Sequence, residues 1–81
     1  MPMSPTILRA GPYRFFFFSR EEPRAHVHVH SPDGEAKFWL DPHVALAVDH
    51  GMPEKALGEV RRLVEAHQEE FRDAWKRHFG S

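Results

Sequence analysis

Three histidines spaced two apart, His26, His28 and His30, lie in the stretch HVHVHSPDGEAKFWL from His26 to Leu40, together with Glu35, Lys37 and Trp39. These side chains could do three kinds of work. Paired imidazoles beside a lysine can act as general base, general acid and phosphate stabiliser in RNA cleavage, which makes His26, His28 and Lys37 candidate catalytic residues of a metal-independent ribonuclease. Histidines two apart on a strand point the same way, so His26 and His28 could share a divalent metal with His30 or Glu35 as a third ligand. The same side chains could also form a contact surface, with Arg24 holding a phosphate and Trp39 stacking on a base.

The elements that must position these groups are two strands joined by Ser31-Pro32-Asp33-Gly34, a cluster of turn formers between alternating runs. This register sets His30 opposite Glu35, Val29 opposite Ala36, His28 opposite Lys37, Val27 opposite Phe38 and His26 opposite Trp39. Val27, Val29, Ala36, Phe38 and Leu40 then share a core face, and the histidines, Glu35, Lys37 and Trp39 share the other. His30 lies about 13 Å along the strand from His26 at about 3.3 Å per residue, so the histidines form a row rather than one cluster. The spacing argues against a three-histidine metal site, and no metal or cofactor is assigned.

Before the hairpin, Thr6 to Arg9 reads as a strand, Ala10-Gly11-Pro12 as a turn, and YRFFFFS from Tyr13 to Ser19 as a central strand with aromatics on both sides. Arg20-Glu21-Glu22-Pro23-Arg24 is a charged loop that brings Arg24 beside the histidine face. After Leu40, Val44, Leu46 and Val48 alternate with smaller or polar residues as a short last strand. Pro53 fits a first helical position, and from there to Phe79 apolar residues recur at three and four. A straight helix of that length spans about 40 Å, twice the length of such strands. Either it breaks near His67-Gln68, or its Phe71, Trp75, Phe79 end projects as an interface for a partner chain or a homodimer.

Eighty-one residues make one small domain with room for one core, and the absence of cysteine removes disulfides and thiolate ligands. The composition suits a cytoplasmic setting, and the apolar run Phe15 to Phe18 is far too short to span a membrane. Net charge is -1, with five bases and six acids up to Pro53 and six of each after it. No basic stripe is visible along the chain, so nucleic-acid affinity would have to come from local geometry.

The fold expected is α+β. Residues 1–81 form a four- or five-stranded, mainly antiparallel sheet over about 6–49, with a long C-terminal helix over about 53–79 packed on one face.

PTILR at 5–9, YRFFF at 13–17, HVHV at 26–29, GEAKFWL at 34–40 and LVEAH at 63–67 resemble the bacterial family of domain of unknown function 4160. The resemblance implies a stand-alone prokaryotic protein, often encoded beside a second small family, domain of unknown function 2442, in a toxin–antitoxin-like arrangement. It marks His26, His28, Lys37 and Trp39 as the polar motif positions. It also implies a small partner protein from the neighbouring gene, with RNA or DNA as a further ligand. Pro53 stands where the family commonly has Ser or Thr, so proline geometry replaces a hydroxyl cap there.

Overall fold

The computed structural model describes residues 6–18 and 23–80. Five strands follow one another as an antiparallel meander: β1 (Thr6–Ala10), β2 (Tyr13–Phe16), β3 (His26–Ser31), β4 (Gly34–Trp39) and β5 (Ala45–His50). Sequence order is also spatial order. The first part of the charged loop, Arg20 to Glu22, lies outside the described residues, as does the stretch before Thr6.

The β3–β4 hairpin has the register that alternation predicts, from His26 opposite Trp39 to Ser31 opposite Gly34. Only Pro32 and Asp33 form the turn itself. The buried Ser31 hydroxyl accepts a hydrogen bond from the Asp33 N–H (3.2 Å) and donates one to the Gly34 carbonyl (3.3 Å). Gly34 is required for a different reason than the turn. A Cβ there would stand 2.7 Å from the Gly51 carbonyl carbon and the Met52 nitrogen, so the chain leaving β5 closes against a position with no side chain.

Alternation sorts the sheet into two faces. Tyr13 and Phe15 from β2 and Phe17 just after it, Val27 and Val29 from β3, and Ala36 and Phe38 from β4 are buried on one side under the helices. The other side carries His28, His30, Glu35, Lys37 and Trp39, and Trp75 of the last helix reaches its His26 end.

The single long helix expected over 53–79 is two helices, α1 (Glu54–Ala66) and α2 (Gln68–Phe79). The break is at His67, whose φ of -111° and ψ of 17° leave the helical region. Each piece is about 20 Å long at about 1.5 Å per residue, which matches the strands beneath. The length conflict is resolved by folding back: Ala56, Val60 and Val64 of α1 and Phe71, Ala74 and Trp75 of α2 all enter one core. Phe71 lies 5.5 Å from Phe15, ring to ring, and Trp75 meets Phe17 edge-on. Phe71 and Trp75 are therefore core residues of this chain, and Phe79 is partly buried beside them. An interface built from Phe71 and Trp75 would require both to leave that core.

Pro53 precedes α1 as its cap, in extended conformation (φ -61°, ψ 151°), and not as its first helical residue. Gly80 ends α2 in the left-handed region (φ 75°), its N–H donating to the Lys76 carbonyl at 2.7 Å. No described helix is long and apolar enough to cross a membrane.

Candidate functional site

The open sheet face is built in transverse rows. Pairing across the ladders aligns Phe16 with His28, His28 with Lys37, and Lys37 with Val48, in four successive strands. The row toward the Pro32-Asp33 turn aligns Arg9, Arg14, His30 and Glu35. Among the described residues, acids and bases that are evenly spread along the chain are thus unevenly spread in space. Arg9, Arg14 and Lys37 share this side with Glu35, and the Asp49 carboxylate is occupied in accepting the Met52 N–H at 2.9 Å. Period-two alternation produces the local basic surface that composition conceals.

Rings and cations interleave on this face. Arg14 lies 4.5 Å from the centre of the Phe16 ring and donates through Nε to the Thr6 hydroxyl at 2.7 Å. The His28 imidazole stacks on Phe16 at 5.5 Å and meets Phe18 at 4.2 Å. Trp39, half-buried, carries Arg24 at 4.1 Å and Lys37 at 4.5 Å from its ring. Such cation–π contacts keep long side chains against the sheet and hold their charge over it.

At the centre is a depression of about 330 Å³, lined by Phe18, His28, Glu35, Lys37, Val48 and His50 among others. Phe18 is 45% exposed and Val48 36%, so apolar surface frames the polar pair His28 and Lys37. A concave site with an apolar rim and a few polar groups is the usual form of a recognition surface.

The residues expected here do not all arrive. His28, Lys37 and Glu35 line the depression, and Trp39 and Arg24 stand together at one side of the face. His30 faces outward and its Nδ1–H donates to the Glu35 carboxylate at 2.9 Å. His26 is fully buried, contrary to its expected place on an accessible face. Trp75 reaches to 5.0 Å from its ring, Trp39 to 5.6 Å and His28 to 5.0 Å. Its Nδ1 lies 2.6 Å from the Arg24 carbonyl, and because a carbonyl only accepts, Nδ1 carries a proton. A substrate on the open face does not touch His26 in this arrangement. Among the described residues, no three His, Asp or Glu side chains gather as a metal would need.

Phe18, Val48 and His50 enter the site without having been singled out in the sequence. Their signal was present in part, since Val48 and His50 alternate with Ala47 and Asp49. The placing of β5 depends on a register shift, however: Val48 pairs with Lys37 but Leu46 pairs with Phe38, leaving Ala47 as an extra residue.

One perturbed side chain lies on the covered side. The Tyr13 hydroxyl donates to Glu59 at 2.6 Å, and this bond, then burial and the nearby carboxylates, push the phenol up to about 12.

A family model described as domain of unknown function (DUF4160) matches residues 13–76. No curated protein and no solved structure matches the chain.

Proposed function

The chain belongs to the DUF4160 family, and on that premise we propose that it is a toxin–antitoxin-type module whose open sheet face binds a small partner protein from a neighbouring gene. The observation that carries this reading is the depression in which exposed Phe18 and Val48 frame His28 and Lys37. Apolar rim and basic centre together suit an acidic, amphipathic segment of a partner better than either feature would alone. Burial of Phe18 and Val48 supplies the hydrophobic part, at about 25 cal/mol per Å² removed from water. Arg9, Arg14 and Lys37 supply the charge complement.

A second reading is a metal-independent ribonuclease. It is favoured by one observation: His50 lines the same depression as His28 and Lys37 and can take the role for which His26 is too deeply buried. In that reading one imidazole accepts the 2′-hydroxyl proton, the other returns a proton to the leaving oxygen, and Lys37 stabilises the phosphorane charge.

Expression of the chain alone and with its neighbouring gene, scored for growth arrest and co-purification, separates the two. The interaction module predicts a stable complex that His28→Ala weakens while leaving the fold of the free protein unchanged. Undiminished binding by His28→Ala sinks it. The ribonuclease predicts RNA cleavage by the pure protein with a bell-shaped pH profile, lost in His28→Ala and His50→Ala; absence of cleavage removes that reading.

A further inference from the structure

A second concavity, of about 340 Å³, opens where the end of β4 meets α2, outside the depression on the sheet face. Arg24, Arg72 and Lys76 line it, with Asp41 as the one acid among the described lining residues and the largely buried Trp75 as part of its wall. Two consecutive carbonyls hold the two guanidinium groups in place. Arg72 donates to the Leu40 carbonyl through both Nε (3.0 Å) and Nη2 (2.6 Å), and Arg24 donates through Nε to the Asp41 carbonyl at 2.9 Å. Lys76 follows Arg72 by one helical turn and so shares its side of α2.

A guanidinium has five N–H groups, and these contacts use two on Arg72 and one on Arg24. The Asp41 carboxylate approaches Arg72 Nε only to 3.9 Å and is itself 65% exposed, so it neutralises one charge weakly. Among the described residues, three cations stand against one distant carboxylate in a concave site with an aromatic wall, an arrangement that concentrates positive potential. Fixed, planar donors of this kind match the geometry of a phosphate group, which takes paired N–H bonds from arginine.

We propose that this notch binds the phosphate of a phosphate ester, with Arg24 and Arg72 as fixed donors and Lys76 as the mobile third charge. The volume leaves room for the ester's organic part beside Trp75. Arg24 also lies over Trp39 on the open face, so a bound phosphate touches a residue shared with that surface. The site does not depend on the nature of the partner proposed above.

Calorimetric titration of the full chain at fixed ionic strength tests the assignment, using inorganic phosphate, adenosine 5′-monophosphate and a short single-stranded RNA without a terminal phosphate as probes. Saturable binding is expected. Lys76→Glu should weaken it by roughly tenfold, the scale of one charge-assisted contact, while Lys55→Glu, an equal charge change at an exposed position on α1, should leave it unchanged. Arg24→Gln gives the same comparison independently, should Lys76→Glu alter the melting temperature of the free protein. Tighter binding of the monophosphate identifies a free nucleotide or similar monoester, and tighter binding of the RNA identifies a diester backbone. No saturable binding of any probe, or equal loss in Lys76→Glu and Lys55→Glu, overturns the proposal.

Discussion

The indole of Trp75 meets the ring of Phe17 at 5.3 Å and nearly at right angles, which joins the last helix to the chain leaving the second strand. Edge-to-face pairs of this kind add to the apolar area they bury. Trp75→Ala should therefore destabilise the protein by about 3–5 kcal/mol, as large-to-small changes in aromatic cores do. Chemical denaturation measures it. A loss below about 1 kcal/mol would show Trp75 to be dispensable to this core.

His26 and His28 are two residues apart and should behave oppositely. His26→Ala removes a fully buried imidazole and leaves the part-buried Arg24 carbonyl without its donor, and should cost about 1–3 kcal/mol. His28→Ala, at a half-buried position on the open face, should cost less and act on binding. Thermal melts of both variants beside the co-purification assay distinguish the two roles.

Gly34→Ala should destabilise by about 1–3 kcal/mol, the usual cost of overpacking. The added methyl meets backbone, not a flexible side chain, since the Gly51 carbonyl carbon, the Met52 nitrogen and the His50 oxygen all lie within 2.8 Å of its position. The measurement is urea denaturation, and a neutral result would mean that the end of β5 moves freely away from β4.

Tyr13 gives a pH-dependent prediction. Its folded pKa is raised from 10.0 to about 12 by the Glu59 hydrogen bond first, so the folded state holds the phenolic proton more tightly than the unfolded chain does. The resulting stability is present in full below about pH 10 and is lost as pH rises toward 12. It is the only tyrosine in the chain, so phenolate absorbance reports it alone. Tyr13→Phe should flatten the alkaline fall in melting temperature, and an unchanged fall would assign it to other groups.

The hairpin register was legible because it needs only local information: turn formers at Ser31 to Gly34 and strict alternation on both sides. Aromatics on both sides of Tyr13 to Ser19 leave the core face of that strand open, and the helices settle it on Tyr13, Phe15 and Phe17. The helix break was legible only as one of two outcomes, because the apolar spacing runs through His67 without interruption, and the sheet's length decides the matter. His26 was misplaced for a connected reason. Once α2 folds back, Trp75 comes to 5.0 Å from its imidazole, and no property of β3 alone signals that neighbour. The depression escaped reading because the bulge at Ala47 sets which residues of β5 stand beside Lys37. The notch needs three segments at once, Arg24, the Leu40–Asp41 carbonyls and α2, and only tertiary structure assembles them.

The meander also bears on how the protein comes off the ribosome. Every strand pairs with its immediate neighbour in sequence, so the sheet can assemble in the order of synthesis with only short loops to close. Yet β2, made early, finds the partner for Phe15 in Phe71, near the end of the chain. Until α2 emerges, the aromatic side of a nearly complete sheet remains wet and adhesive. The interval between the making of Phe15 and of Phe71 is the period in which the nascent chain is most exposed to aggregation and to capture by chaperones.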